Sequence, residues 1–526
     1  MDFIKQLFKQ PINIRPLYLI YIFQLIILFG VVFGFLPRET LLSAAFLIAL
    51  FLLLMKFEDA VLFFLASIPF FVALPLVRGF DNFNFWRLAI FILFLRLVLK
   101  NFPLQKWLDF EFTRTLPKRI YQRLKNNRIE LWTMVYFGIS AVSILVAEDK
   151  IAAIKRLIYV GQMILIYPLT LNIIKNKTLF KRAAKFLLFS AGLVLLIGLG
   201  QLTFSYFADL GNFWDWWANH FSLNFYGTPL AKIVSGANTW FSYYVGRAPT
   251  LRMFSTFTDS HSFALYLLLA SPLVLWLLIR NYFLKKRATL MTIFYGIMFL
   301  LLQFAMALSG TRGIWISVGA PIAVAIFLLI KKQQKLLAKI SLAGLLLFVL
   351  MLPLSSLFLS IPQFNVVAKE TDKALTLKRL KSVIDIEEAS NKGRIYIWKE
   401  SIRTLVKHPF LGVGIGNFPV VLGEPAEMQE AGATAHNVYL NSGVESGILA
   451  LMAIVMVFYE ILKQCYKYFK KKIEDTTSIL PMLLGFYFLW VFVYSLFDIA
   501  IFDARVMMMF SAEVALLIAI LSLQQA

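Results

Sequence analysis

Cysteine is nearly missing from this chain: of 526 residues only Cys465 carries a thiol, so no disulfide can form within it, whatever the redox state around it. Histidine is almost as scarce, at four positions, and acidic residues number 29 against 52 lysines and arginines. There is no HExxH, no Cys/His set and no external D-x-D, so the usual patterns of a metal site are lacking and neither a metal nor a cofactor is expected. Asp385 and Glu387 are the nearest approach and are expected to form a solvated helix face. Glu424, Glu427 and Glu430 cluster in sequence, but they suggest acidic surface rather than two glycosidase carboxylates facing one bond. Internal repeats, low-complexity linkers and a soluble enzymatic domain are likewise not visible.

What the chain has in excess is apolar. Hydrophobic residues fill 60% of the positions, with 52 phenylalanines, more than a water-facing surface can accommodate, so the expected class is an all-α polytopic membrane protein. A hydrocarbon core of about 30 Å needs about 20 apolar residues in a helix. That criterion gives about fourteen spans, near residues 17–36, 41–56, 60–77, 86–99, 131–147, 157–174, 184–206, 262–280, 289–309, 314–330, 340–360, 438–462, 479–497 and 505–523. The first is too long for a signal peptide and no cleavage site follows it, so it is expected to be retained.

The formal charge of +23 does not imply nucleic acid, because the basic residues fall in short clusters between spans at 100–128, 175–185, 285–287, 331–339 and 463–472. These clusters all lie on one side of the membrane if both termini are cytoplasmic, as the positive-inside rule requires, with anionic membrane lipids as their partners. The chain then divides into an N-terminal membrane bundle (1–206), an aromatic external loop (207–261), membrane helices (262–360), a large external loop between the eleventh and twelfth spans (361–437) and C-terminal helices (438–526). Phe213, Trp214, Trp216, Trp217, Trp240, Tyr243 and Tyr244 in the aromatic loop suit rings at headgroup level, or a platform for sugar rings.

Polar chemistry concentrates on the expected external face. His220, His261, His408 and His436 all fall there, with Arg252, Arg312 and Arg394 each at or near the end of a span. An isolated external arginine is often a headgroup anchor. Three of them on a face poor in basic residues suit a diphosphate, which the planar guanidinium matches and which it meets charged at any relevant pH. His436 precedes the twelfth span, where an imidazole can take a proton near neutrality. Glu445 could orient that ring or pack against another helix. The glycines 412, 414 and 416 lack the strand, helix and following acid of a nucleotide fold and predict a tight turn.

The motifs RMFSTFTDSHSFALYLLLA, SGTRGIWIS, GRIYIWKESIRTLVKHPFLGVGIGNF and AHNVYLNSGVESGILA resemble, in order and side of the membrane, those of the O-antigen ligase and O-antigen polymerase superfamily, over about residues 250–523. The resemblance implies a GT-C-like bundle in the cytoplasmic (inner) membrane. It implies a glycosyltransferase that passes a glycan from undecaprenyl pyrophosphate to an acceptor hydroxyl on lipid A core, a second lipid-linked glycan or a protein, without metal or nucleotide sugar. It assigns the pyrophosphate to Arg252 and Arg312, the acceptor's base to His436, and either substrate to Arg394. His261 departs from the proline-asparagine-like pair of relatives, which leaves the roles of Asp259 and His261 open. Ligase, polymerase and protein O-oligosaccharyltransferase share this donor. A flippase or transporter of lipid-linked glycans is the alternative from another class, though transporters tend to carry ionisable groups at mid-membrane.

Overall fold

The chain re-enters the apolar layer where a capping side chain precedes an apolar run. Asn127, Asp149, Asn176 and Thr289 each accept a hydrogen bond from a backbone N–H in the first turn of the following helix, satisfying donors that would otherwise be stranded at a helix start. The computed structural model describes residues 16–74, 84–101, 110–227, 231, 239–242, 249–285, 289–332, 334–359, 361–364, 389–423, 434–469 and 476–525. Tyr243, Tyr244, Asp385, Glu387, Glu424, Glu427 and Glu430 lie outside these residues, as do parts of the basic loops.

Among the described residues nine helices are long and apolar enough to cross a membrane: Arg128–Val146, Lys150–Ile173, Lys177–Phe207, Ser260–Tyr282, Leu290–Leu308, Arg312–Ile330, Lys335–Leu359, Ile448–Phe469 and Ala504–Leu523. Pro16–Val32, Thr40–Leu54 and Ile479–Tyr494 are shorter apolar helices. The spans expected near 60–77 and 86–99 are occupied by the helices Phe57–Ser67 and Phe85–Asn101. In the second of these Arg96 reaches across to donate to the carbonyls of Leu52 and Met55, so its charge sits on the C-terminal carbonyls of Thr40–Leu54 rather than unpaired in the apolar layer.

The bundle is organised around the Ser260–Lys285 helix. It packs on Lys177–Phe207, Leu290–Leu308, Ile479–Tyr494 and Ala504–Gln525, and from Phe263 to Ala270 every residue has at most 1% of its surface exposed. A helix apolar all round is stable only when surrounded in this way. At its C-terminal end, Trp276 meets the Phe180 ring at 5.5 Å and donates to the Thr476 carbonyl at 2.7 Å. Nearby at the same end, Glu58 binds Lys100 and Lys175, and Asp59 binds Arg182. Loops expected to carry the basic clusters therefore meet at one end of the bundle, opposite the site described below.

Two expectations are corrected. The aromatic segment faces inward: Phe213, Trp217 and Trp240 are buried, Phe213, Trp217, Phe221 and Phe225 form a stacked row, and Trp240 stacks on Phe254 at 4.6 Å. Of the indoles named there, Trp214, at 39% exposure, offers the most open face. Rings of this size contribute more by filling the core than by standing at the headgroups.

The second correction concerns the span expected over 438–462, which is broken at Gly447 into Val438–Ser446 and Ile448–Phe469. Gly447 has φ +86°, and a Cβ there would lie 2.0 Å from the Phe410 carbonyl oxygen. Gly412 makes the reciprocal approach, a Cβ falling 2.1 Å from the Val444 oxygen. Hydrogen bonds from Val413 N–H to Val444 and from Ile448 N–H to Pro409 close this joint. Gly447→Ala is therefore expected to destabilise the protein by more than about 1 kcal/mol, seen as a lower melting temperature in detergent. A wild-type melting curve would show that the joint can open.

Candidate functional site

Arg252 follows a short antiparallel ladder that pairs Phe241 with Leu251 and Ser242 with Thr250. Its own N–H donates to the Trp240 carbonyl at 2.8 Å, and Leu251 N–H donates to Gln363 Oε1 at 2.7 Å. Gln201 Oε1 accepts from Phe254 N–H and Ser255 N–H. With its backbone polar groups satisfied by these partners, the segment can lie buried in extended form. The Arg252 side chain runs along the SGTRG turn, where Nε donates to the Ser309 carbonyl at 3.1 Å and Gly310, at φ +66°, leaves room for it. Arg312 begins the next helix two residues later, so it stands at the end of the turn along which Arg252 runs.

Beyond Arg252 the contacts continue in a chain. Its Nη2 lies 2.9 Å from His261 Nε2, and His261 Nδ1 lies 2.6 Å from Asp498 Oδ2, with Tyr494 Oη 3.4 Å from the same ring nitrogen. A guanidinium only donates, so Nε2 is the acceptor and Nδ1 carries the proton given to Asp498. Asp259 caps the helix that begins here: its carboxylate accepts from Ser262 N–H, Ser262 Oγ and Thr258 Oγ1. Asp259 and His261 thus have distinct tasks, the first fixing the helix start and the second spanning Arg252 and Asp498.

His436 reaches this group from the other side. Its turn is clamped by Trp398 Nε1–H to the Ala435 carbonyl at 2.9 Å, Ala435 N–H to Asn441 Oδ1 at 3.2 Å and Val438 N–H to the Ser495 carbonyl at 2.8 Å. Asn437 caps the following helix through Tyr439 N–H and Leu440 N–H. His436 itself has φ +45°, a left-handed conformation uncommon for a side-chain-bearing residue and held here by those clamps. Arg394 lies one helical turn before Trp398 on the Ala389–Lys407 helix and acts electrostatically on both His436 and Asp498.

Burial lowers the His436 pKa, Asp498 opposes the shift and Arg394 adds to it, for a net fall from the ordinary 6.5. Burial, the largest single influence, would raise Asp498, but its interactions with His261 and, more weakly, with His436 and Arg394 together outweigh it, and its carboxyl stays well below the usual range. A ring that stays neutral beside a carboxylate that stays charged can accept a proton.

Arg252, His261, Asp498, Arg394 and His436 therefore converge, with Arg312 on the neighbouring turn. Glu445 does not point at this group. It is buried against Arg156, Gly416 N–H and Asn441, so it supports the His436 turn only through Asn441. Gly412, Gly414 and Gly416 all have positive φ, as a tight turn requires. His220 and His408 are exposed. Asp498 is the residue the motifs did not indicate. Its sequence signal is weak: an acidic residue in the short FDIAIFDAR hairpin between two apolar runs. Among the described residues no group of three or more His, Cys, Asp or Glu side chains is arranged to hold a metal ion.

Residues 296–455 match the family model Wzy_C, described as O-antigen ligase. No curated protein matches the chain. The matched stretch contains Arg312, Arg394, His436 and Glu445, whereas Arg252, Asp259, His261 and Asp498 lie outside it. The segment 296–455, which carries two of the site arginines and His436, is therefore similar to the O-antigen ligase family, and that match supports a relationship to the O-antigen ligase and O-antigen polymerase superfamily.

Proposed function

We propose that this protein is an O-antigen ligase-type membrane glycosyltransferase that moves a glycan from a polyprenyl diphosphate to an acceptor hydroxyl at the extracytoplasmic face of the inner membrane. The observation that carries this reading is the meeting of Arg252, His261, Asp498, Arg394 and His436 at the end of the bundle opposite the basic loops. In the reaction His436 takes the acceptor's proton, the acceptor oxygen bonds to the anomeric carbon, and the bond from that carbon to the diphosphate breaks with its electron pair on the leaving oxygen. Arg252 and Arg312 meet the charge that develops there, and Arg394 stands nearer the base and the acceptor. Fixed guanidiniums in a partly dehydrated site stabilise such charge without reorganising. A single displacement of this kind inverts the anomeric configuration.

His261 and Asp498 act through Arg252 rather than on substrate, because the His261 ring is spanned between the two. The test is transfer by the purified protein in nanodiscs from an undecaprenyl-diphosphate glycan to lipid A core, to a second lipid-linked glycan and to a peptide, in parallel. Product on lipid A core identifies a ligase, a lengthened lipid-linked glycan a polymerase, and a glycopeptide a protein transferase. Turnover is expected to be unchanged by EDTA. Turnover lost to EDTA and restored by Mg²⁺ would require a different mechanism, and absence of product on all three acceptors would overturn the reading.

A further inference from the structure

One helix bears on both halves of the site from outside it. The start of Lys150–Ile164 is fixed to the glycine-rich turn by a reciprocal pair of hydrogen bonds, Asp149 N–H to Asn417 Oδ1 at 2.8 Å and Asn417 Nδ2–H to the Asp149 carbonyl at 3.1 Å. Asn417 is fully buried, so the pair is shielded from water. The glycines let the two backbones meet: a Cβ at Gly414 would fall 2.5 Å from Ala147 Cα, and one at Gly416 would fall 2.9 Å from Arg156 Cβ.

Arg156, about two turns into this helix, faces two ways. On one side it acts electrostatically on the buried Glu445 carboxylate, which also takes hydrogen bonds from Gly416 N–H and Asn441. Asn441 Oδ1 accepts from Ala435 N–H at 3.2 Å, so the group that Asn441 gives to Glu445 is its Nδ2–H, and the carboxylate sets which way round that amide stands. The hold of Arg156 thus reaches the His436 turn through Glu445, Asn441 and the Ala435 N–H in sequence. On the other side Arg156 Cζ lies 5.3 Å from the Tyr159 ring and 5.3 Å from the Phe502 ring, and Tyr159 Oη donates to the Phe502 carbonyl at 3.0 Å. Phe502 belongs to the hairpin that presents Asp498 to His261.

We propose that Arg156 is a positioning residue for the reaction: it braces the His436 turn against the Asp498 hairpin, with Glu445 and Asn441 carrying its hold to one side and Tyr159 and Phe502 to the other. The proposal rests on the transferase reading for the part that His436 plays. The left-handed backbone at His436 is where such a brace has most to do, because a strained residue relaxes unless its surroundings over-determine it.

The test uses the full-length protein in nanodiscs, read in two ways: kcat and donor KM with an undecaprenyl-diphosphate glycan as donor, and hydrogen exchange of the Ala435 and His436 amides in one turn and the Phe502 and Asp503 amides in the other. Arg156→Leu alone strands a buried carboxylate, so it is combined with Glu445→Leu, which removes both charges together. The double variant is expected to exchange about tenfold faster at both turns, as a local opening would. Its kcat is expected to fall about 10–100-fold, the cost of a misplaced catalytic group, with donor KM unchanged. Tyr159→Phe keeps the ring beside Arg156 and removes a single hydroxyl; it is expected to raise exchange at both turns about threefold, the effect of one hydrogen bond, and it decides the question where the double variant does not fold. In a folded variant, unchanged exchange at either turn overturns the brace, and so does a double variant with wild-type kcat. If the transferase reading is wrong, neither wild type nor variants form product, and exchange still decides the brace. If the brace alone is wrong, wild type and variants transfer glycan at the same rate and exchange alike.

Discussion

Replacing His436 with alanine is expected to lower glycan transfer by about 10²–10⁴-fold, the range that a positioned general base contributes, with donor binding largely kept. Alanine leaves the clamps on the turn in place, since they run through Trp398, Asn441 and Ser495 rather than through the ring. The pH profile provides an independent check. With His436 as the base the neutral ring would be the active form, and its pKa lies below the ordinary 6.5, so activity should persist as pH falls through that value and be lost only below it. Asp498→Asn removes the charge that opposes this shift and should carry the acid limb lower still. Arg394→Gln removes a charge that adds to it and should carry the limb upward. A His436→Ala enzyme with wild-type turnover, or an acid limb above 6.5 in the native protein, would exclude His436 as the base.

The second large effect is expected at Arg252. Arg252→Lys keeps a positive charge but cannot serve Ser309 and His261 together, as the guanidinium does through Nε and Nη2, because an ammonium is a point donor without a planar fork. Turnover is expected to fall by about 10²–10³-fold, as when a preorganised donor to a developing anion is lost, while the acid limb set by His436 stays where it was. Asp498→Asn acts on the same guanidinium through His261. The double variant should therefore lose less than the sum of the two single losses, which is how residues sharing one network behave. Steady-state transfer rates for the two single variants and the double variant decide this; strict additivity would separate Asp498 from Arg252.

Much of the membrane architecture was legible in sequence because it rests on local rules. Apolar runs of membrane length and basic loops read directly as helices and their connections, and motif order pointed to Arg252, Arg312 and His436. What was not legible depends on tertiary contacts. Asp498 meets His261 across 237 residues of sequence, and a single acid in an apolar hairpin has no periodicity to reveal it. The burial of Trp217 and Trp240 depends on partners supplied from other parts of the chain. The break at Gly447 is hidden in a continuous apolar run, and becomes visible only once the Pro409–Leu411 backbone is found pressed against it. Glu445, adjacent to that break, could have turned toward His436 or away from it; its orientation follows from Arg156, on the far earlier Lys150–Ile164 helix.

The left-handed backbone at His436 has one more consequence. Such a conformation costs on the order of 1–3 kcal/mol when a side chain is present, and glycine would adopt it without strain. The most accessible way to make this region sturdier is therefore a substitution that also deletes the imidazole. With His436 as the base, robustness and reactivity would pull this one position in opposite directions, and a search for heat-resistant variants scored on folding alone would drift toward well-behaved, inert proteins.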